Sequence, residues 1–112
     1  MANVLMFHGA YGNPEENWFP WLKSQLEHLG HAVHIPAFPT PKDQTLENWF
    51  KALAPFEKYI DSETVFVSHS LGALFIPSVL EKMHTRVKAT FLVAGFLGRA
   101  VDPQDKVKMV MR

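Results

Sequence analysis

Val65-Phe66-Val67-Ser68-His69-Ser70-Leu71-Gly72-Ala73 is a short apolar run that ends in a small-His-Ser-x-Gly turn and passes directly into a helical pattern. A strand that breaks sharply into a helix lifts the residue at the break onto the tip of a strained turn. A serine held there exposes its Oγ, and the first amides of the new helix face it. Small residues are required two before and two after that serine, because the backbone and the neighbouring strands close in on both sides. Ser68 and Gly72 meet the requirement, although glycine at both places is the commoner form. Ser70 is therefore the candidate nucleophile. The alternative is a chance Ser two residues before a Gly, and the strand-turn-helix context weighs against it.

Outward from this turn, the chain reads as alternating strands and helices. Val4-Leu5-Met6-Phe7 is a continuous apolar run, as expected of a parallel strand covered on both faces. A glycine-rich loop follows at His8-Gly9-Ala10-Tyr11-Gly12-Asn13-Pro14. Asn17 is placed to cap a helix over 18–29 with Trp18, Leu22, Leu26 and Leu29 on one stripe, Pro20 in its first turn and Gly30 at its C-terminal cap. Ala32-Val33-His34-Ile35 alternates and suits an edge strand. The stretch 36–41 holds three prolines in six residues, which no helix crosses. Thr45 opens a second helix with Leu46, Trp49, Phe50 and Leu53 on its apolar face, and Pro55 should bend or restart it. The third strand is predicted over 64–67, and a third helix runs from the turn to about His84 with a kink at Pro77. A fourth strand is predicted over 88–93, and from 98 to 112 the pattern fades. Three strand-helix repeats imply a parallel sheet with right-handed crossovers, whose reactive residues gather at the carboxyl ends of the strands. His8, Ser68 to Ser70, and Gly95 with Phe96 all fall at such ends.

Composition limits the functions open to such a sheet. The 112 residues, 47% hydrophobic, suffice for one modest core. Eleven basic and eleven acidic residues give no electrostatic case for nucleic acid or an anionic membrane surface. The absence of cysteine excludes a disulfide scaffold and thiolate chemistry. No run approaches the ~20 apolar residues of a membrane span, and residues 1–7 lack the basic start of a signal peptide. A cytoplasmic location is the default expectation. Three Trp and nine Phe favour a packed globule.

These residues together resemble the small serine hydrolases of the α/β-hydrolase superfamily, and within it the retinoblastoma-binding-protein-9-like (YdeN-like) group. The resemblance is carried by His8-Gly9, Asn17-Trp18-Phe19-Pro20-Trp21-Leu22, Phe38-Pro39-Thr40-Pro41, Leu46-Glu47-Asn48-Trp49, Ser68-His69-Ser70-Leu71-Gly72 and Leu92-Val93-Ala94-Gly95-Phe96. It spans about 4–96. It implies an α/β fold in three layers, a four-stranded parallel sheet ordered 2-1-3-4 with helices on both faces, and ester or amide cleavage by Ser70. In this superfamily the triad runs Ser, Asp, His along the chain. Asp102 and Asp105 come too soon after the fourth strand to be the acid, and no histidine follows His84. Residues 1–112 are thus expected to form a single, partial α/β-hydrolase domain, the N-terminal part of such an enzyme.

Ser70 needs a base, since a free hydroxyl is a weak nucleophile. His8 is the best-placed histidine for that role, although the resemblance assigns it instead to structural support of the oxyanion loop, which Gly9 and Gly12 let approach closely. His69 should point away from Ser70 into the packing around the turn. The amides of Leu71 and Ala10 are the expected oxyanion donors. An ordinary strand-helix connection is the alternative for this loop. Gly9 and Gly12 lack the spacing and the lysine of a nucleotide site. Tyr11, Trp18 and Phe96 are candidate substrate contacts for a small ester or amide, with a place in the core as the other option. His28, His31, His34 and His84 do not pair at helical spacing with a carboxylate between them, and neither a metal nor a cofactor is expected. A chain ending at Arg112 would leave the fourth strand as an apolar edge, so self-association through 88–93 is expected. A catalytically inactive binding module on the same fold is the competing reading, and an unrelated doubly wound domain is a third.

Overall fold

The structure, a computed structural model, describes residues 2–15, 18–70 and 72–93. In chain order it contains β1 (Asn3–Phe7), α1 (Phe19–His28), β2 (Ala32–His34), α2 (Leu46–Leu53), a 3₁₀ segment (Ala54–Tyr59), β3 (Val65–His69), α3 (Gly72–Met83) and β4 (Ala89–Val93). The strands form one sheet ordered β2-β1-β3-β4, and every neighbouring pair is parallel. The alternating β2 lies at an edge, as its pattern predicts. The register sets Leu5 opposite Phe66, Phe7 opposite Ser68, and His69 opposite Val93.

Period-two alternation sorts the strands' side chains onto two faces. Leu5, Phe7 and Phe66 join Phe38, Trp49, Leu53, Phe75, Ile76 and Val79 in the cluster formed with α2 and α3. Val4, Met6 and Val67 face the other way and pack with Phe19 of α1 and Val33 of β2. Three layers follow, with α1 on one face and α2 and α3 on the other. Each fully buried aromatic here contributes about 1.5–3 kcal/mol of transfer free energy. Phe7, Phe66, Phe75 and Trp49 are all at 0% exposure, so the α2–α3 face carries most of this contribution.

The helix ends follow local chemistry. Thr45 caps α2 by accepting the Asn48 amide at 3.1 Å on its Oγ1, and Pro55 sits where the helix tightens into the 3₁₀ segment. α1 begins with Pro20 in its first turn and a Trp18 cap that makes no side-chain hydrogen bond; the expected cap, Asn17, lies outside the described residues. Gly30, at φ 97°, turns the chain out of α1. β3 runs two residues past its predicted end, through His69. α3 continues as one helix through Pro77. No helix of the described residues is long and apolar enough to cross a membrane. β4 is an edge strand among the described residues, and its Phe91 and Leu92 are exposed.

Candidate active site

Ser70 occupies the break between β3 and α3 with φ 56°, a left-handed conformation that is uncommon for any residue but glycine. Two backbone bonds frame it. Its N–H donates to Val93 O at 3.3 Å, and its carbonyl accepts the Ala73 amide at 3.0 Å. The residue is half-buried and lies outside any smooth helix.

Its flanks explain the small residues around it. A Cβ built on Gly72 would stand 2.6 Å from Phe7 O and 2.9 Å from His8 O, so α3 starts directly against the end of β1. A Cβ on Gly9 would stand 2.8 Å from Ser70 Cβ and 3.3 Å from its Oγ. The loop after β1 therefore rests on the serine side chain itself. Ser68 is fully buried, and its hydroxyl reaches Phe91 O of β4 at 3.4 Å.

His8 is also fully buried, between Phe38 and Trp49. The Phe38 amide donates to His8 Nε2 at 2.9 Å, and His8 Nδ1 lies 2.8 Å from Gly9 O. An amide can only donate, so Nε2 is the unprotonated nitrogen and Nδ1–H donates to Gly9 O. Both nitrogens are thus committed, and His8 is not placed to take a proton from Ser70. Gly12 N–H also donates to Gly9 O, at 3.1 Å. The carbonyl of the Gly9–Ala10 peptide is anchored twice, which turns the Ala10 N–H to the opposite side of that planar unit.

His69 points into the packing on the α1 side, with its ring edge-on to Trp18 at 5.8 Å and to Phe19 at 6.5 Å. Neither histidine beside the turn is directed at the Ser70 hydroxyl. Tyr11 stands 66% exposed on the loop, whereas Trp18 is half-buried against Phe19. Trp18 also lines an apolar groove of about 580 Å³ along the α1 face with Leu22, Val67, Phe91 and Val93, and Ser70 is not among the groove's residues. Leu71 and Phe96, the other expected oxyanion and substrate residues, lie outside the described residues. Among the described residues no cluster of metal-ligating side chains occurs.

The proline-rich stretch after β2, predicted only to exclude a helix, is packed against this loop. Trp49 Nε1 holds Pro39 O at 2.8 Å, and Thr40 Oγ1 accepts the Tyr11 amide at 2.7 Å.

A 2-1-3-4 parallel sheet with layered helices and a serine on a left-handed strand-to-helix turn defines the α/β-hydrolase class. Solved structures share that architecture. The ydeN gene product of B. subtilis superposes with a TM-score of 0.76 at 27% identity, covering 100% of this chain and 68% of that one. An extracellular α/β-hydrolase from a Paenibacillus species gives a TM-score of 0.66 at 21% identity, over 82% of this chain and 40% of that one. A pyrethroid hydrolase from Sphingobium faniae JZ-2 gives 0.66 at 20%, over 81% and 38%. At those identities the last two bear on the fold alone.

The serine hydrolase family model matches residues 4–111, and the chain belongs to that family. YdeN of Bacillus subtilis (strain 168), a protein that carries a hydrolase name, is 34% identical over 95 residues. The match takes in 83% of this chain and 50% of YdeN, so the chain spans about half the length of that relative. These matches carry the YdeN-like part of the resemblance; the link to retinoblastoma-binding protein 9 rests on none of them.

Proposed function

We propose that the chain provides the nucleophile half of a serine hydrolase that cleaves carboxylic esters or amides, with Ser70 attacking the carbonyl carbon. The observation that carries this is the left-handed Ser70 at the end of β3, with Gly9 against its side chain and Gly72 letting α3 begin against the β1 carbonyls. Attack forms a bond from Oγ to the carbonyl carbon and breaks the carbonyl π bond, whose electrons move onto oxygen. The Ala10 amide, turned away from the doubly anchored Gly9 carbonyl, and the Leu71 amide that follows the nucleophile are the donors for that charge. The serine proton requires an imidazole, and a carboxylate to orient it, from beyond residues 2–93, since His8 and His69 are both engaged elsewhere. The exposed Tyr11 ring is the substrate contact we favour.

A fluorophosphonate probe tests the proposal. A covalent adduct on the wild-type chain that disappears in Ser70→Ala supports it. With residues 1–112 alone, in which His8 and His69 are engaged elsewhere, labelling should be slow but above the rate with free serine, because oxyanion donors and binding alone retain roughly 10³- to 10⁴-fold catalysis. No adduct after prolonged incubation would instead favour a catalytically inactive binding module. The committed tautomer of His8 is the observation that keeps that second reading in view.

A further inference from the structure

Tyr11 is the second left-handed residue of the site, with φ 62°, and it follows directly on Ala10. Its amide donates to Thr40 Oγ1 at 2.7 Å, and the Thr40 hydroxyl in turn donates to Gln44 Oε1. Gln44 is 2% exposed, a degree of burial unusual for an amide side chain unless it serves as a hydrogen-bond partner. The far end of this loop is fixed as well. Asp43, also left-handed at φ 61°, gives its carbonyl to Asn48 Nδ2 and to the Thr45 amide. Thr40 and Gln44 are therefore tied to the start of α2.

The amides of the loop after β1 are thus assigned to different tasks. Gly12 N–H is taken by Gly9 O, and Tyr11 N–H by Thr40. The conformation of Ala10 is held from both sides, by the His8 anchor on Gly9 O before it and by the Thr40 anchor on Tyr11 N–H after it. A non-glycine residue in the left-handed region lies above its preferred conformations, because its Cβ crowds the following carbonyl oxygen. Without the Thr40 acceptor, Tyr11 would relax toward negative φ by rotating the Ala10–Tyr11 peptide, and the Ala10 torsions would then no longer be held against the Gly9–Ala10 peptide that carries the Ala10 N–H.

We infer that Thr40, backed by Gln44, is a positioning residue for the Ala10 amide: it fixes the oxyanion donor through Tyr11 without touching substrate. The inference rests on the proposed role of Ser70 and Ala10. Thr40→Val keeps the shape and removes the acceptor, whereas Thr40→Ser keeps the hydroxyl. Two readouts are needed on the same chain, hydrogen exchange of the Tyr11 amide by NMR and the rate of fluorophosphonate labelling at Ser70.

In Thr40→Val the Tyr11 amide should lose protection and the labelling rate should fall about 10- to 100-fold, since losing or misplacing an oxyanion donor is worth up to 10²- to 10³-fold. Thr40→Ser should restore both to within about threefold, a rescue that a purely structural role for the threonine methyl would not give. Should Thr40→Val fail to fold, Gln44→Leu, which removes only the backing acceptor, should slow labelling by a smaller factor with the fold intact. Thr40→Val labelling at the wild-type rate, or Thr40→Ser as slow as Thr40→Val, overturns the inference and leaves the hydrolase proposal standing. A wild-type chain that takes no label removes both.

Discussion

Replacing Ser70 by glycine should make the chain more stable while removing its chemistry. The magnitude follows from the backbone. At φ 56° a residue with a Cβ bears about 1–2 kcal/mol of left-handed strain, which glycine escapes. Glycine also loses more freedom on folding, about 0.5–1 kcal/mol relative to alanine. The two backbone hydrogen bonds that frame the turn, Ser70 N–H to Val93 O and Ala73 N–H to Ser70 O, survive any side-chain change. The net gain is then about 0.5–1 kcal/mol, or roughly 2–4 °C in Tm for a chain near this size. Ser70→Ala serves as the control, because it lacks the hydroxyl but retains the Cβ and its strain. Urea and thermal unfolding of the three proteins, with an unchanged denaturant slope, isolate the backbone contribution. Ser70→Gly no more stable than Ser70→Ala would refute the reasoning, since it would mean that the turn is not held in the left-handed region. Both variants should lose fluorophosphonate labelling.

Gly72→Ala should destabilise by about 1–3 kcal/mol, as overpacking does, because its Cβ would meet the Phe7 and His8 carbonyl oxygens at 2.6 and 2.9 Å and backbone cannot step aside; thermal unfolding reads the loss. Gly9→Ala should also destabilise, but its nearest obstacle is Ser70 Cβ at 2.8 Å, so adding Ser70→Gly should recover part of the loss. A coupling of at least about 0.5 kcal/mol in that double-mutant cycle is expected, and strict additivity would count against the contact. His34 is stacked on Tyr59 at 3.9 Å, and burial, with Lys23 and Lys58 adding to it against an opposing Glu27, lowers its pKa below the ordinary 6.5. The unfolded chain therefore binds the proton more readily. The stability His34 contributes is present above pH 6.5 and lost as pH falls below it through the lowered folded value. In His34→Phe the slope of unfolding free energy against pH should flatten in that window.

Much of the frame is legible in local pattern. The apolar run Val4 to Phe7, the alternation at Ala32 to Ile35 and the sequence around Ser70 place β1, β2 and the β3–α3 turn, and the small residues around the serine match what its neighbours demand. The prediction did less well where a residue's task is set by distant parts of the chain. His8, at a strand end, reads either as a base or as a support of the loop after β1, and position alone does not separate the two. Its tautomer is decided by the Phe38 amide, 30 positions away in the chain, and that contact removes it from proton transfer. Gln44 matches no motif, and Thr40, though inside the Phe38-Pro39-Thr40-Pro41 turn that carries the resemblance, shows nothing there of its partners, which are a backbone amide and the Gln44 side chain. Three prolines mark their loop as irregular, but prolines alone do not indicate which side chain will meet which N–H.

The strain at Ser70 and the two glycines beside it are parts of one arrangement. A left-handed serine persists only where the surrounding structure leaves it no alternative. Here the constraint comes from opposite directions and through different kinds of atom. Gly72 lets α3 begin within contact distance of the β1 carbonyls, which fixes the backbone leaving the serine, while Gly9 lets the loop after β1 close on the serine side chain. A larger residue at position 9 would push the hydroxyl, and one at position 72 would push the start of α3, whose Ala73 amide donates to the Ser70 carbonyl. The same closeness explains why the loop carries a left-handed Tyr11: a strand end that passes this near a neighbouring turn must reverse within a few residues, and its amides then need acceptors from another part of the chain. Thr40 supplies one of them. The geometry of the serine and that of the loop amide proposed as its oxyanion donor are thus both set by the close approach of β1 to the β3–α3 turn, so a change that loosens one should be detectable at the other.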